Sequence, residues 1–411
     1  LQDGNYYIAN VLCSYINIMS RGSLGDTDIY TIHNHVKLVR GGKPYFSQML
    51  EMIDNAKTSI HLQTYIYDED ETGNAIAEAL IKAAARGVGV YVLLDAYASQ
   101  NLSNHFKNHL IKAGIHLCFF EPFFHSRRFY IGRRLHHKIL LTDEYKSLVG
   151  GINISNRYND IQGTPAWLDW AICTEGDASH QLYHYCVEVW DKEAGDTLHL
   201  KANNFYPPNA VTETCYVRVR KNDWINRRTQ VSHSYKEMFK TAKTDVIVMS
   251  SYFWPSRSLL RKIAYASKRG VQIKLILAGV SDIKISKYAE RYMYRWLFRN
   301  NVIVYEYQKN VLHGKIAVKD GKWVTVGSYN LNNISARASI ELNMDVKNED
   351  FAQNVKHTLE EIITNDCTQI INDTFIPQNV FLQFVQFLSY EAIHLIFFLF
   401  TFYFKQTKYE R

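Results

Sequence analysis

The feature that most restricts how this chain can fold is an internal repeat. Residues 56–65 read AKTSIHLQTY and residues 242–251 read AKTDVIVMSS. In the first copy Ile60, Leu62 and Thr64 alternate with His61 and Gln63, the period of a strand. The stretch GNAIAEALIKAAARGVGVYVLLD (73–95) then finds its counterpart in SRSLLRKIAYASKRGVQIKLIL (256–277). Each is an apolar-periodic helix, an Arg-Gly break (Arg86-Gly87 and Arg269-Gly270), and a strand rich in Val, Ile and Leu. Glycine suits a helix C-terminus because it enters the left-handed conformation without a Cβ penalty. Strand–helix–strand order twice over predicts an α/β protein of two similar domains, at 30–205 and 206–376, each a mixed sheet flanked by helices. Residues 1–29 form a polar lead-in. Residues 377–411 form a separate hydrophobic tail, with Pro377 at the break.

Each half ends in the same polar motif. The first is HHKILLTDEYKSLVGGIN, with His136, Lys138, Asp143, Gly150, Gly151 and Asn153. The second is HGKIAVKDGKWVTVGSYN, with His313, Lys315, Asp320, Gly327, Ser328 and Asn330. Both obey H-x-K-x4-D-x6-G-(G/S)-x-N. In a strand, residues two apart share a face, so His136 projects with Lys138 and His313 with Lys315. His137 then points the other way and reads as structural. A lone H-x-K carries no signal; two intact copies at matching places in a duplicated domain carry a strong one. Packed about a pseudo-two-fold axis, the copies would bring both motifs to one cleft. There Lys138 and Lys315 offer point charges to phosphate oxygens, and Asn153 and Asn330 add N–H donors. One imidazole can attack phosphorus while the other protonates the leaving alkoxide. No His/Asp/Glu cluster with metal spacing accompanies them, so the expected chemistry is metal-free phosphodiester transfer with no cofactor.

The twin motifs resemble the HKD signature of the phospholipase D superfamily, over roughly residues 30–345. RRLHHK (133–138), GGIN (150–153) and GSYNLN (327–332) look most like bacterial cardiolipin synthases, although His137 stands where that group commonly has Arg. The resemblance implies a catalytic set of His136, Lys138, Asp143, His313, Lys315 and Asp320, with His136 as nucleophile and His313 as acid. Asp143 and Asp320 are expected to organise the turns. It further implies that Asp169 in WLDW and Glu341 in SIELN orient the imidazoles. The activity implied is a phosphatidyltransferase: phosphatidylglycerol gives its phosphatidyl group to a histidine, glycerol leaves, and a second phosphatidylglycerol accepts the group. Water as acceptor would make the enzyme a phospholipase D hydrolase. A nuclease or phosphodiesterase, and a non-catalytic lipid-binding scaffold, are the other readings.

Composition bears on the partner. Charged residues are 21% and hydrophobic residues 47%, which excludes a disordered chain. The formal net charge of +7 favours an anionic partner without choosing between lipid and nucleic acid. The six cysteines include no C-x-x-C pair and read as free thiols. Two stretches interleave basic and aromatic residues: FFHSRRFYIGRRLHHK (123–138), with Arg127, Arg128, Arg133 and Arg134, and YAERYMYRWLFRN (288–300), with Arg291, Arg295 and Arg299. Both suit an anionic lipid surface or a nucleic-acid backbone equally, and the second also reads as an ordinary packed amphipathic helix. The tail decides between partners. Its run LIFFLFTFYF (395–404), followed by Lys405, Lys408 and Arg411, is short for a spanning helix and reads as an interfacial or re-entrant anchor. The expectation is therefore an anionic phospholipid substrate, a bacterial membrane surface reached through the C-terminal tail, and no nucleic acid.

Overall fold

The computed structural model of the protein describes residues 29–121, 133–161, 163–195, 214–223, 226, 228–281, 284–332, 339–371 and 380–406. The chain divides into two compact units, Leu1–Tyr30 and Thr31–Arg411. The second unit holds every element below. The lead-in 1–28, Arg127 and Arg128 of the first basic stretch, and Lys408 and Arg411 of the tail lie outside the described residues.

The first half runs β1 (Thr31–Arg40), α1 (Lys43–Asn55), β2 (Ser59–Thr64), α2 (Glu71–Ala85), β3 (Gly89–Asp95), α3 (Asn104–Lys112), β4 (His116–Phe120), β5 (Arg134–Leu135), β6 (Lys138–Thr142), β7 (Lys146–Gly150), β8 (Trp170–Gly176) and α4 (Asp177–Ala194). The second runs β9 (Thr214–Asp223), β10 (Arg228–Thr229), α5 (Gln230–Thr241), β11 (Asp245–Ser250), α6 (Arg257–Lys268), β12 (Gln272–Val280), α7 (Lys284–Arg299), β13 (Val302–Val311), β14 (Lys315–Lys319), β15 (Trp323–Gly327), β16 (Ser339–Lys347), α8 (Glu349–Asp366), β17 (Cys367–Ile370) and α9 (Val380–Gln406).

Pairing repeats as the sequence does. In the first sheet β2, β3 and β4 are parallel, and β6, β7, β8 and β1 continue antiparallel from β2. In the second, β11, β12 and β13 are parallel, and β14, β15, β16 and β9 continue antiparallel from β11. The expected α/β fold of two similar halves, each a mixed sheet flanked by helices, is what the chain forms. The outer face of the first sheet is covered by α1, α2 and α3, with Met49, Ile53, Leu80 and Leu110 fully or almost fully buried. The outer face of the second is covered by α5, α6 and α7 through Phe239, Ile263 and Leu297. The inner faces share one core: Ile139 and Ile172 meet Ile316 and Val326, with Leu182 of α4 and Val355 of α8. Each such side chain stabilises the fold by about 1.5–3 kcal/mol.

Local devices explain why particular residues recur. Gly87 and Gly270 follow their helices at φ of 86° and 87°, the left-handed region. The arginine before each caps the preceding helix: Arg86 donates to the Ile53 carbonyl at 2.9 Å, and Arg269 to the Ala242 carbonyl at 2.9 Å. Asp143 and Asp320 both sit at φ 52°, a conformation that Asp tolerates better than most residues. The Asp143 carboxylate accepts from the N–H groups of Lys57, Thr58 and Ser59 and from the Thr58 hydroxyl. Asp320 accepts from Lys243, Thr244 and Asp245 and from the Thr244 hydroxyl in the same way. The repeated Ala-Lys-Thr and the motif aspartate are thus two parts of one turn. For Asp320, burial raises the carboxyl pKa, but the donors from Thr244, Lys243 and Asp245 outweigh it and hold the group below its ordinary value.

The halves are stitched together at the motifs. Ser339 and Ile340 of β16 pair with Arg134 and Leu135 of β5. Leu168 bridges to Leu312. Among the described residues no helix is long and apolar enough to cross a membrane.

Candidate active site

Each motif histidine is anchored by the opposite half. The His136 N–H donates to the Ile340 carbonyl at 3.0 Å, and the His313 N–H to the Leu168 carbonyl at 2.8 Å. The side chains cross in the same sense. His136 Nδ1 is 2.9 Å from Glu341 Oε2, and His313 Nδ1 is 2.6 Å from Asp169 Oδ2. Both carboxylates are fully buried. An ionised carboxylate accepts from Nδ1–H, and Nε2 then carries a lone pair in the neutral ring or a second hydrogen in the imidazolium. The family resemblance pointed to Asp169 and Glu341 as imidazole partners without saying which histidine each would serve. The fold assigns each to the histidine of the other motif.

Lys138 and Lys315 follow two residues on, at the starts of β6 and β14, and are almost wholly buried. Lys138 Nζ donates to the His136 carbonyl and lies 5.2 Å from the Tyr65 ring centre. Lys315 Nζ donates to the His313 carbonyl. Burial pushes Lys138 down to about 7, opposed by the negative charge of Glu341 and reinforced by Lys315. That Lys315 acts on Lys138, and Lys138 on Asp169, places both motifs in one electrostatic site. Burial also lowers the His136 pKa, with Glu341 opposing and Lys138 adding to the shift. Asp169 is pushed up to about 6 by burial, against the pull of Lys315 and the Trp170 N–H.

The two half-sites differ around their carboxylates. Ser328 donates from Oγ to Glu341 Oε2 at 2.5 Å, the oxygen that also receives His136. The equivalent position is Gly151, where a Cβ would stand 2.6 Å from the Asp169 carboxylate oxygens. Asp169 is fixed instead through Oδ1, which accepts from the Trp170 N–H at 2.7 Å. The glycine before each is also forced. A Cβ on Gly150 would meet the Trp170 carbonyl at 2.4 Å, and one on Gly327 the Leu342 carbonyl at 2.3 Å.

Asn153 is buried, with its Oδ1 accepting from the Ile66 N–H at 3.1 Å and its Nδ2 donating to the Tyr158 hydroxyl at 2.9 Å. Asn330 Oδ1 accepts from the Ser251 hydroxyl at 2.7 Å. His137 turns to the opposite face, where Nε2 meets Gln63 Oε1 at 2.9 Å, and burial drives its pKa to about 3. Asp143 and Asp320 close their turns at the far ends of β6 and β14. Arg133 is spent on Asp223 at 2.8 Å, and Arg134 lies over the Tyr97 ring. Arg291 is spent on Glu306 at 2.9 Å, so at that position α7 follows the plain amphipathic reading.

Sequence reasoning missed the aromatic walls and Ser328's part. Tyr65 packs on His136 at 5.0 Å between ring centres; Tyr158 lies 5.2 Å and Trp167 6.1 Å from His313. Tyr65 closes the quoted repeat, and its substitution by Ser251 in the second copy was the available signal. Ser328 was visible as the G/S difference between the motifs, but its partner was not.

Chemically, the arrangement offers two carboxylate-paired imidazoles and two buried lysine amines. Groups of these types can serve as nucleophile, proton donor and phosphate clamp.

Comparison with known proteins identifies the family. Residues 49–163 and 235–363, one motif in each, match the family model described as cardiolipin synthase, PLD-like domain. Cardiolipin synthase B of Salmonella typhi is 34% identical over 347 residues, covering 84% of either chain. Cardiolipin synthase B of Escherichia coli K12 is 31% identical over the same length and coverage. The crystal structure of phosphatidylserine synthase from Haemophilus influenzae Rd KW20 aligns with a TM-score of 0.69 over 90% of this chain and 95% of its own. At 14% identity that likeness speaks to fold alone. With one motif matched in each half and relatives aligned over most of its length, the chain belongs to the cardiolipin synthase, PLD-like domain family.

Proposed function

We propose that the protein makes cardiolipin from two phosphatidylglycerol molecules with release of glycerol, through a covalent phosphatidyl-histidine. Family membership makes it a phospholipase D-type phosphatidyltransferase; the substrates and the intermediate are our reading. The observation that carries it is the crossed pairing, His136 on Glu341 and His313 on Asp169.

His136 Nε2 attacks phosphorus, the bond to the glycerol oxygen breaks, and His313, entering as the imidazolium, gives that oxygen its Nε2 proton. His313 then takes the proton of a hydroxyl on the second phosphatidylglycerol. The freed oxygen attacks phosphorus, and the P–N bond to His136 breaks. Lys138 and Lys315 hold the nonbridging oxygens, with Asn153 and Asn330 as further donors. His136 is assigned as nucleophile because its lowered pKa keeps it neutral at pH 7 and Ser328 fixes its carboxylate. Asp169 and Glu341 fix tautomers and steady each imidazolium as it forms. Both substrates are anionic membrane lipids, so the reaction belongs at a bacterial membrane surface, with the C-terminal segment contributing the attachment.

Purified protein incubated with labelled phosphatidylglycerol in mixed micelles should yield cardiolipin and glycerol, with EDTA having little effect. Phosphatidic acid as the sole product would make it a hydrolase, and a strict metal requirement would remove the scheme.

A further inference from the structure

The polarity of α9 is inverted relative to an ordinary surface helix. Among its described side chains, Gln386, Ser389 and Ile393, three and seven positions along, are the buried ones. They face the body, where Ile393 and Tyr390 pack with Trp254, Leu260, Ala289 and Met293. Tyr292 of α7 meets Phe387 at 5.7 Å and Tyr390 at 4.9 Å. A helix docked on a protein normally buries its apolar face and shows polar residues to water. Here the opposite side carries Val380, Phe381, Phe384, Leu388 and Leu395, exposed by between 48% and 76%.

A basic groove adjoins this helix. It is open, of about 630 Å³, and runs between α6 and α7; its lining is Arg257, Leu260, Arg261, Ala264, Trp296 and Asn300. Leu260 belongs both to the groove and to the contact that seats α9. Arg257 is near enough to Tyr390 for its charge to act on that hydroxyl. Arg257 and Arg261 are exposed, one helical turn apart, and neither has a carboxylate partner among the described residues. Apolar walls beside unpaired guanidinium groups match a phosphate head on an acyl chain.

We propose that the outward face of α9, with Arg257 and Arg261 beside it, is a docking surface for an anionic lipid bilayer. The proposal rests on the lipid-substrate reading above and gives it a place and an orientation. Apolar residues enter the headgroup boundary while the arginines hold lipid phosphates. Glu391 stands on the outward face between Leu388 and Leu395. A carboxylate is tolerated at headgroup level and not in hydrocarbon, so α9 lies along the surface. α9 lies beyond both family-matched stretches, whereas Arg257 and Arg261 lie within the second.

Flotation of the full chain with vesicles tests this. Phosphatidylglycerol/phosphatidylcholine vesicles should carry the protein up, and pure phosphatidylcholine vesicles should carry much less. The Arg257→Glu/Arg261→Glu variant should lose about 30-fold or more in partition to the anionic vesicles. The Phe384→Glu/Leu388→Glu variant should lose about 100-fold. Both should keep wild-type turnover of phosphatidylglycerol in detergent micelles, which also shows that they fold. Equal flotation of wild type and the α9 variant overturns the proposal. So does a wild-type dimer, by analytical ultracentrifugation, that the α9 variant splits, because a second copy would then cover the face. Flotation as expected from a protein inactive on micellar phosphatidylglycerol leaves the surface standing and removes the substrate reading.

Discussion

His136 and Glu341 lie 205 positions apart in the chain and 2.9 Å apart in the fold. The partner pair, Asp169 and His313, spans 144 positions at 2.6 Å. Each half supplies the carboxylate that the other half's motif histidine meets, so neither half holds such a pair by itself.

Replacing either acid by its neutral isostere should therefore damage turnover more than binding. Glu341→Gln and Asp169→Asn remove the charge that steadies an imidazolium while keeping shape. We expect kcat to fall by about 10–1000-fold with KM little changed. A variant that lost only affinity would reassign that residue to lipid recognition.

The histidines should be individually indispensable but separable by trapping. His136→Ala and His313→Ala should each abolish steady-state turnover, since nucleophile and acid act as a unit. With labelled phosphatidylglycerol, denaturation of His313→Ala should retain label on the protein and His136→Ala should not. The reverse pattern would exchange the two roles.

Ser328 gives a sharper test of the asymmetry. Ser328→Ala removes the hydroxyl that donates to Glu341 and should lower kcat by about tenfold, a typical effect of loosening an orienting group. Gly151→Ala should be far worse, because the added Cβ would lie 2.6 Å from the Asp169 carboxylate. Rescue of Ser328→Ala by Ser328→Thr, read on kcat at constant KM, separates positioning from general instability.

Activity should decline on the alkaline side earlier than an ordinary lysine would allow. Lys138 is held down to about 7 by burial, so in the free enzyme it loses its charge as pH rises through that value. kcat/KM should fall above pH 7, while kcat, measured with the anionic phosphate bound, should fall at higher pH. A flat kcat/KM from pH 7 to about 9 would remove Lys138 from phosphate binding.

Asp320→Asn and Asp143→Asn should lower stability while sparing chemistry. Each loses the negative charge that gathers three backbone N–H groups, at a cost of about 1–3 kcal/mol. The folded pKa of Asp320 lies below its ordinary value, so its contribution is present above that ordinary value and is lost as pH falls through the folded one. Thermal unfolding at pH 7 and at pH 3 checks this: the wild-type advantage over Asp320→Asn should shrink at the lower pH. Loss of activity in a fully folded variant would instead make the aspartate catalytic.

The sequence by itself determined the repeat, the α/β class, the helix-ending glycines and the twin motifs. These are local: periodicity fixes strand or helix, glycine fixes a left-handed break, and alternation puts His136 beside Lys138 and His137 behind them. The family resemblance carried by the motifs also pointed to Asp169 and Glu341. Which histidine each acid serves was decided only by the tertiary structure, because the exchange depends on β5 pairing with β16 and on Leu168 meeting Leu312 across the interface. The same is true of Ser328 on Glu341 and of the aromatic walls at Tyr65, Tyr158 and Trp167, none of which shares a turn or a strand pair with its partner histidine. The tail shows the limit most clearly. Its apolar composition was plain in the sequence, but which side of α9 faces the body depends on the surface that α6 and α7 present to it. A helix dipole, a cap or a hydrophobic period carries no information about the neighbour that will receive it.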